Sequence, residues 1–246
     1  DRLRLIYAVP SVPAAVLRAR LGDTTAADAL AEVFDKSGSA ATQIEAAQQL
    51  LRLPPRISTL SKLLQARPAN SLIEDWIHVA ELRLGHKPAQ LQVERILHRA
   101  SAAFELRLRA AQVLAFRAVR GTAPALLGLL DHCPTFDACR EVIEALGQLG
   151  DRSAIPALTK RASDPMLQRE VIRALGQISG AESQAFLVDC LLHDPRVSAR
   201  IEAARALEKE GGAVALKALS QAATSDVEAL VRTTAKSILA SHTLAK

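Results

Sequence analysis

Two consecutive stretches of this chain carry the same pattern, and this repeat constrains the fold more than any other feature. The first runs from Cys139 to Asp164 (CREVIEALGQLGDRSAIPALTKRASD), and the second from Gln168 to Asp194 (QREVIRALGQISGAESQAFLVDCLLHD). Each contains an amphipathic run, a turn with Gly, a second amphipathic run and then Asp-Pro. Apolar residues at i, i+3 and i+4 share one helix face, so each stretch predicts a pair of helices.

The same unit recurs along the rest of the chain. If Leu146 is taken as an anchor, equivalent positions follow at intervals of 29 to 33 residues in both directions. The residue four before each anchor is apolar or Ala, which extends the stripe by one helical turn. The anchors are Arg18, Leu50, Glu81, Leu114, Leu146, Leu175, Leu207 and Leu239. A period of this length is typical of a helical repeat protein.

Composition supports a helical chain. Hydrophobic residues make up 49% of the 246 residues and aromatic residues only 3%, with Ala and Leu prominent. These residues favour helices over strands. Breaks such as Gly150-Asp151 and Ser179-Gly180 separate the helices, and Gly after a helix supplies a left-handed cap. We expect Gly147 and Gly176 to be turn or helix-contact glycines. Helices of ten to thirteen residues are marginal alone, so the pairs are expected to stack.

The chain is therefore predicted to form a single α-solenoid domain over residues 1–246. It would hold about seven helix pairs and a final helix from Ser225 to Ala240.

The later units resemble the HEAT repeat, in the short form found in phycobilisome-lyase HEAT-like proteins. The likeness lies in Arg200 to Leu207 (RIEAARAL), Arg140 to Gly150 and Arg169 to Gln177. Asp194 with Arg200, and Asp226 with Arg232, reproduce the family's Asp and Arg spacing. The likeness is clear over residues 106–246 and divergent over 10–105, where a TPR-like or other αα-repeat is an alternative.

The resemblance implies a right-handed α-α superhelix whose concave face is lined by the anchor helices, with an Asp and Arg ladder between repeats. It also implies a non-catalytic scaffold that binds a protein partner. Two alternatives stay open: a bilin-lyase-like or other enzyme-accessory subunit, and a nucleic-acid-binding HEAT-like protein. Fold alone does not choose among them.

A mixed-charge strip is the candidate partner-binding site. Positions two and six before each anchor are expected to point outward from the concave face, with charged residues beside them. Arginine suits such a strip because its planar fork pairs bidentately with carboxylates. The alternative is a solvated helix face held by pairs such as Arg140 and Glu144. The candidates are Arg109, Gln112, Arg140, Glu144, Arg169, Arg173, Glu202 and Arg205.

Other chemistry is not favoured. No catalytic motif or phosphate loop occurs, and the six histidines lack metal-ligand spacing, so neither a cofactor nor a metal is expected. Trp76 is expected to pack in the core. The net charge of +5 is interleaved with acidic residues, which disfavours nucleic acid as the partner. What small molecule the chain takes, if any, is left open.

The cysteines and the apolar runs bear on the compartment. Cys133, Cys139 and Cys190 are odd in number and are expected to be buried free thiols, which fits a reducing compartment. No apolar run is long enough for a membrane span, and no signal peptide is visible. A cytoplasmic location is the resulting expectation.

Overall fold

The spacing of apolar residues and the capping residues divide the chain into short helices. The computed structural model describes residues 11–21, 23, 25–36, 39–54, 56–65 and 70–244. Within these ranges there are fifteen α-helices, two short 3-10 helices at Lys87–Ala89 and Arg152–Ala154, and no strand. The all-α prediction of seven helix pairs and a final helix is confirmed for this part of the chain.

The helices are as follows, in chain order. They are α1 (Val12–Arg20), α2 (Ala26–Lys36), α3 (Ala40–Leu50), α4 (Ile57–Gln65), α5 (Ser71–Arg83), α6 (Gln90–His98), α7 (Phe104–Phe116), α8 (Thr122–Asp131), α9 (Phe136–Leu149), α10 (Ile155–Arg161), α11 (Gln168–Leu175), α12 (Ala181–His193), α13 (Val197–Glu210), α14 (Gly212–Ser225) and α15 (Ala229–Leu244).

Local capping explains where several of these helices begin and end. The side chains of Ser11, Ser39, Asn70 and Thr135 each accept a hydrogen bond from the backbone N–H three residues later. Such caps satisfy donors that the helix itself leaves unpaired. Gly150 ends α9 with φ of 70°, as the sequence predicted.

The chain forms two compact units, residues 1–114 and 115–246. In the first unit, α1, α3 and α5 pack in succession, and α2 packs against α4. In the second unit, α9, α11, α13 and α15 pack in succession and form what we call the anchor layer. The helices α10, α12 and α14 form the second layer of that unit. This order is the one expected when repeated helix pairs stack on their neighbours.

The stripe predicted from the sequence is the core. All seven residues four before the anchors from Leu50 onward are buried: Ala46, Ile77, Ala110, Val142, Val171, Ala203 and Ala235. Leu146, Leu175 and Leu207 are also fully buried. Arg18 differs from the other anchors, because its guanidinium turns outward to bind Asp23 and Thr25.

Two glycines allow successive anchor helices to approach closely. A Cβ atom on Gly147 would lie 2.8 Å from the Cα of Ala174, and one on Gly176 would lie 2.6 Å from the Cβ of Ala206. Both distances are too short for packed carbon atoms. Gly147 and Gly176 are therefore helix-contact glycines, one of the two roles expected from the sequence.

An Asp and Arg ladder links the later repeats, as the HEAT resemblance implied. Arg200 donates to both carboxylate oxygens of Asp226 at 2.8 and 3.1 Å, and to the carbonyl oxygen of Asp194 at 2.8 Å. Arg232 makes the same kind of bond to the carbonyl oxygen six residues earlier, donating to Asp226 at 2.7 Å. In the preceding anchor helix, α11, the side-chain amide of Gln168 takes the place of arginine and donates to the carboxylate of Asp194.

The predicted start of the final helix was wrong. Ser225 is the last residue of α14, and α15 begins at Ala229. The carboxylate of Asp226 accepts a hydrogen bond from the backbone N–H of Glu228 at 2.8 Å, which holds a turn between the two helices. Gly180 also differs from expectation, because its backbone is extended rather than left-handed.

The prediction of three free thiols was wrong as well. Cys133 and Cys139 form a disulfide with Cα atoms 5.3 Å apart, a usual separation for such a bond. The short turn between α8 and α9 brings the two residues together, which spacing in the sequence does not reveal. Cys190 is a buried free thiol, as expected.

Candidate functional site

The candidate site lies where α11 meets α13 in the anchor layer. The contact between Gly176 and Ala206 sets the close approach of these two helices. Arg169 and Arg173 are four residues apart on α11 and therefore share one face of that helix. Glu202 and Arg205 are three residues apart on α13 and face the same way.

These four predicted residues come together around one carboxylate. Arg173 Nε donates to Glu202 Oε1 at 2.5 Å. Arg169 Nε and Arg205 Nη1 each lie 3.7 Å from Glu202 Oε2. We call Arg169, Arg173, Glu202 and Arg205 the Glu202 cluster.

Burial differs sharply within the Glu202 cluster. The Glu202 side chain is only 11% exposed, whereas those of Arg169, Arg173 and Arg205 are 60%, 48% and 59% exposed. The acid is thus enclosed and the cations surround it at the surface. Charged groups this far out of water need partners, and Glu202 has three.

The hydrogen-bonding capacity of the arginines is largely unused. A guanidinium carries five N–H donors. Within the described part of the chain, the guanidinium groups of Arg169 and Arg205 make no hydrogen bond, since 3.7 Å is too long for one. The Glu202 cluster therefore presents two guanidinium forks to solvent and a net positive charge.

A cleft of about 470 Å³ opens beside Glu202. Its charged lining consists of Arg173, Arg205, Lys209, Glu202 and Glu208, and the remainder is Gln177 with the small residues Gly176 and Ala206. Gln177, Glu208 and Lys209 were not predicted from the sequence to lie on this surface. The signal was present for Lys209, which lies four residues after Arg205 on the same face of α13, whereas Gln177 lies in the turn after α11.

No hydrogen bond or ion pair among the described residues joins the predicted residues on α9 to the Glu202 cluster. Arg140 lies 3.5 Å from Asp137, and Glu144 accepts a hydrogen bond from Gln148 at 3.3 Å. The pair between Arg140 and Glu144, which was the example for the alternative of a solvated helix face, does not form in this part of the chain.

Arg109 and Gln112 belong to the first unit. Arg109 donates to the carboxylate of Glu105 at 2.8 Å and to the side-chain oxygen of Gln112 at 2.7 Å. All three lie on α7, at spacings that place them on one helix face. The structure thus brings these two predicted residues together on their own helix.

A second charged group lies on α5. His78 Nδ1 is 3.2 Å from Glu81 Oε2, and Glu81 occupies a buried anchor position. The hydrogen bond to Glu81 raises the pKa of His78, burial opposes the shift, and the charges of Glu81, Glu74 and Asp75 add to it. Asp75 also pairs with Arg99 of the loop after α6. Trp76, on the same helix, is buried with 3% of its surface exposed, as expected of a packing residue.

Neither a metal-ligand cluster nor a membrane-spanning helix occurs among the described residues. No three His, Cys, Asp or Glu side chains gather in a way that would hold a metal ion. No described helix combines the length and the apolar character that crossing a bilayer requires.

The solved structures that resemble this chain include the following two. A chain from the complex of CpcE and CpcF of phycocyanin lyase from Nostoc sp. PCC7120 is 22% identical, with a TM-score of 0.46. That match covers 88% of this chain and 87% of the other. Human deoxyhypusine hydroxylase, solved with glycerol, is 15% identical with a TM-score of 0.38, over 90% of this chain and 97% of the other. At these values neither comparison bears on function.

Comparison at the level of sequence is decisive for the family. No curated protein matches the chain. The sequence pattern of HEAT repeats, however, matches residues 93–165 and 160–240, which together make up more than half of the chain. These residues include every helix of the second unit up to the last anchor, and the Asp and Arg ladder of that unit lies within them. The chain is a member of the HEAT repeat family.

Proposed function

We propose that this protein is a scaffold without catalysis of its own, and that it binds a protein partner at the Glu202 cluster. The observation that supports this proposal is the sharing of one enclosed carboxylate by three half-exposed arginines. A solvated helix face needs only local pairs between neighbouring residues. Here, instead, arginines from two repeats face one carboxylate beside a cleft.

The stacking of repeats explains why this position suits a binding surface. The anchor helices are rigid elements held by buried Val171, Ala203, Leu175 and Leu207. Side chains on such helices are positioned more precisely than side chains on loops. Arginine is also enriched among the residues that dominate the energy of protein interfaces.

A pair of cross-linking variants tests the location. A photoreactive amino acid at Ser198 would lie on α13 within one to two turns of Glu202 and Arg205, on the same side of the helix. The same amino acid at Ser220, exposed on α14 in the second layer, is the matched control. The proteins trapped in native extract would be identified by mass spectrometry, and the partner would then be purified.

Binding of the purified partner is then measured by calorimetry. Replacing Arg169 and Arg205 by Glu is expected to weaken the complex at least tenfold, because charge pairs at an interface are reversed. Arg173 is left in place, since its hydrogen bond keeps Glu202 paired. Replacing the exposed Lys160 and Lys217 of the second layer by Glu changes the net charge equally and is expected to leave the affinity unchanged.

Two outcomes would overturn the proposal. One is an unchanged dissociation constant for the Arg169→Glu, Arg205→Glu variant. The other is cross-linking of the same partner from Ser220 and not from Ser198.

A further inference from the structure

We propose that the Glu202 cluster recognises an acidic segment of its partner, with at least two carboxylates bound by Arg169 and Arg205. This inference rests on the proposed function, and it names the chemistry of the partner. It follows from the way in which the one carboxylate already present in the cluster is bound.

Glu202 shows that this surface holds a carboxylate. Its oxygen Oε1 accepts a hydrogen bond of 2.5 Å from Arg173, and Oε2 faces Arg169 and Arg205 at 3.7 Å. The protein's own acid therefore engages only one of the three forks closely. Each of the other two forks has the planar geometry that binds a carboxylate through two parallel hydrogen bonds.

The charges around the cleft favour the same kind of ligand. The cations Arg173, Arg205 and Lys209 and the acids Glu202 and Glu208 line the cleft, and Arg169 of the Glu202 cluster adds a fourth cation. Four cations against two acids leave two uncompensated positive charges. A partner segment with two carboxylates would neutralise them, and electrostatic matching of this kind determines which partners an interface accepts.

The size and lining of the cleft favour a peptide over a nucleic acid. The cleft of about 470 Å³ has no aromatic residue in its lining, whereas single-stranded nucleic acids are held by stacking on aromatic side chains. Glu202 and Glu208 also interrupt the row of cations that a continuous phosphate backbone would require. Carboxylates on a peptide are separate charges rather than a continuous row, so their spacing can match the cations and avoid Glu202 and Glu208.

Fluorescence anisotropy with two matched peptides tests the inference on the full chain. The probes are a labelled octapeptide of alternating Glu and Ala and the same peptide with Gln in place of Glu. The acidic peptide is expected to bind at least tenfold more tightly than the neutral one. Its affinity is expected to fall as salt rises, because charge pairs at a surface are screened.

Four variants separate the role of the cluster from charge in general. Replacing Arg169 and Arg205 by Glu should lower the affinity at least tenfold, and replacing Lys160 and Lys217 by Glu should leave it unchanged. Replacing Arg169 and Arg205 by Lys keeps the charge and removes the fork, so a loss of about threefold or more is expected. Glu202→Gln removes the internal competitor and should tighten binding about threefold. Far-UV circular dichroism and urea unfolding establish that each variant is folded.

Three results would overturn the inference. The first is equal binding of the acidic and neutral peptides. The second is unchanged affinity of the two variants in which Arg169 and Arg205 are replaced. The third is tighter binding of a single-stranded oligonucleotide of equal charge through the same arginines. If a partner trapped from Ser198 still requires Arg169 and Arg205 in any of these cases, the proposed scaffold function stands. Only the proposal that the partner segment is acidic is then wrong. If the acidic peptide binds but no partner is trapped from Ser198, the scaffold function fails instead.

Discussion

The guanidinium of Arg200 binds both carboxylate oxygens of Asp226, which lies 26 residues later and starts the turn into α15. The two side chains are only 8% and 7% exposed. Arg200 also donates to the carbonyl oxygen of Asp194 in its own repeat. One arginine thus ties together the turns that precede two successive anchor helices.

Asp226→Asn is expected to destabilise the second unit by about 3 kcal/mol, because breaking a buried ion pair leaves Arg200 with an unbalanced charge. The measurement is urea unfolding followed by circular dichroism. Asp189→Asn is the matched control, since Asp189 is an exposed acid whose ion-pair partner among the described residues is His193. A loss for Asp226→Asn no larger than that of the control would contradict the ladder.

The same carboxylate predicts a loss of stability in acid. Burial disfavours the charged form of Asp226, but hydrogen bonds from Arg200 and from the Glu228 backbone outweigh it and lower the pKa. A lowered pKa gives stability that is complete above the unfolded value of about 3.9 and is lost as pH falls through the folded value. Unfolding curves from pH 6 down to pH 2 measure this loss, and Asp226→Asn should make it smaller.

Gly176→Ala is expected to cost about 1–3 kcal/mol, because the added methyl group would overlap Ala206 and the two helices pack too closely to make room. The measurement is again urea unfolding. Gly128→Ala is the control: Gly128 lies in α8 with no atom within 4 Å of the added carbon, so this change should stabilise by about 0.5–1 kcal/mol.

A second substitution determines whether the cost of Gly176→Ala comes from this contact. Adding Ala206→Gly to Gly176→Ala restores space at the helix contact, so the two changes should be less damaging together than their separate losses predict. Simple additivity would mean that the contact is not the cause.

His78 predicts the opposite pH dependence in the first unit. Its hydrogen bond to the buried Glu81 raises the pKa, so the folded state holds the proton more tightly than the unfolded state. The stabilisation is complete below the unfolded pKa of about 6.5 and is lost as pH rises through the folded value. Thermal unfolding between pH 5.5 and 9 measures the loss. His78→Gln should flatten the profile, and the same change at the exposed His132 should leave it unaltered.

The disulfide predicts which cysteine can be alkylated and how much the bond adds to the free energy of unfolding. Peptide mapping without reductant should recover Cys133 joined to Cys139, and Cys190 as a free thiol.

Burial and the charges of Asp194 and Asp189 raise the pKa of Cys190 to about 12, so native protein should resist alkylation there. Replacing Cys133 and Cys139 by Ser should cost about 2–3 kcal/mol, as for other short disulfide loops. Alkylation of Cys133 in the folded, unreduced protein would contradict the bond.

Much of the fold was accessible from the sequence, because helical periodicity depends on residues close together in the chain. The residues four before each anchor, such as Val142, Val171 and Ala203, are all buried as the pattern predicted. The predicted helix boundary and the predicted state of the cysteines were wrong where a single turn determined the structure. The turn at Asp226 makes α15 begin later than the apolar pattern suggested, and Cys139 pairs with Cys133 across a turn.

The candidate site was predictable only in part. Spacing placed Arg169, Arg173 and Arg205 on an exposed helix face, and the structure finds them exposed. The spacing gave no sign that these arginines enclose Glu202, because the contacts of Arg169 and Arg173 with Glu202 run between α11 and α13. Periodicity within one helix carries no information about its rotation against the next.

The sequence by itself determined the helix pairs, their buried stripes and the HEAT repeat character, since each depends on local spacing and residue type. Only the tertiary structure decided which charges meet. The close approach of Gly176 to Ala206 brings α11 and α13 near enough for Arg173 to reach Glu202. The turn at Asp226 places its carboxylate within reach of Arg200. Such contacts join residues 26 to 29 positions apart, and their geometry depends on how whole helices stack.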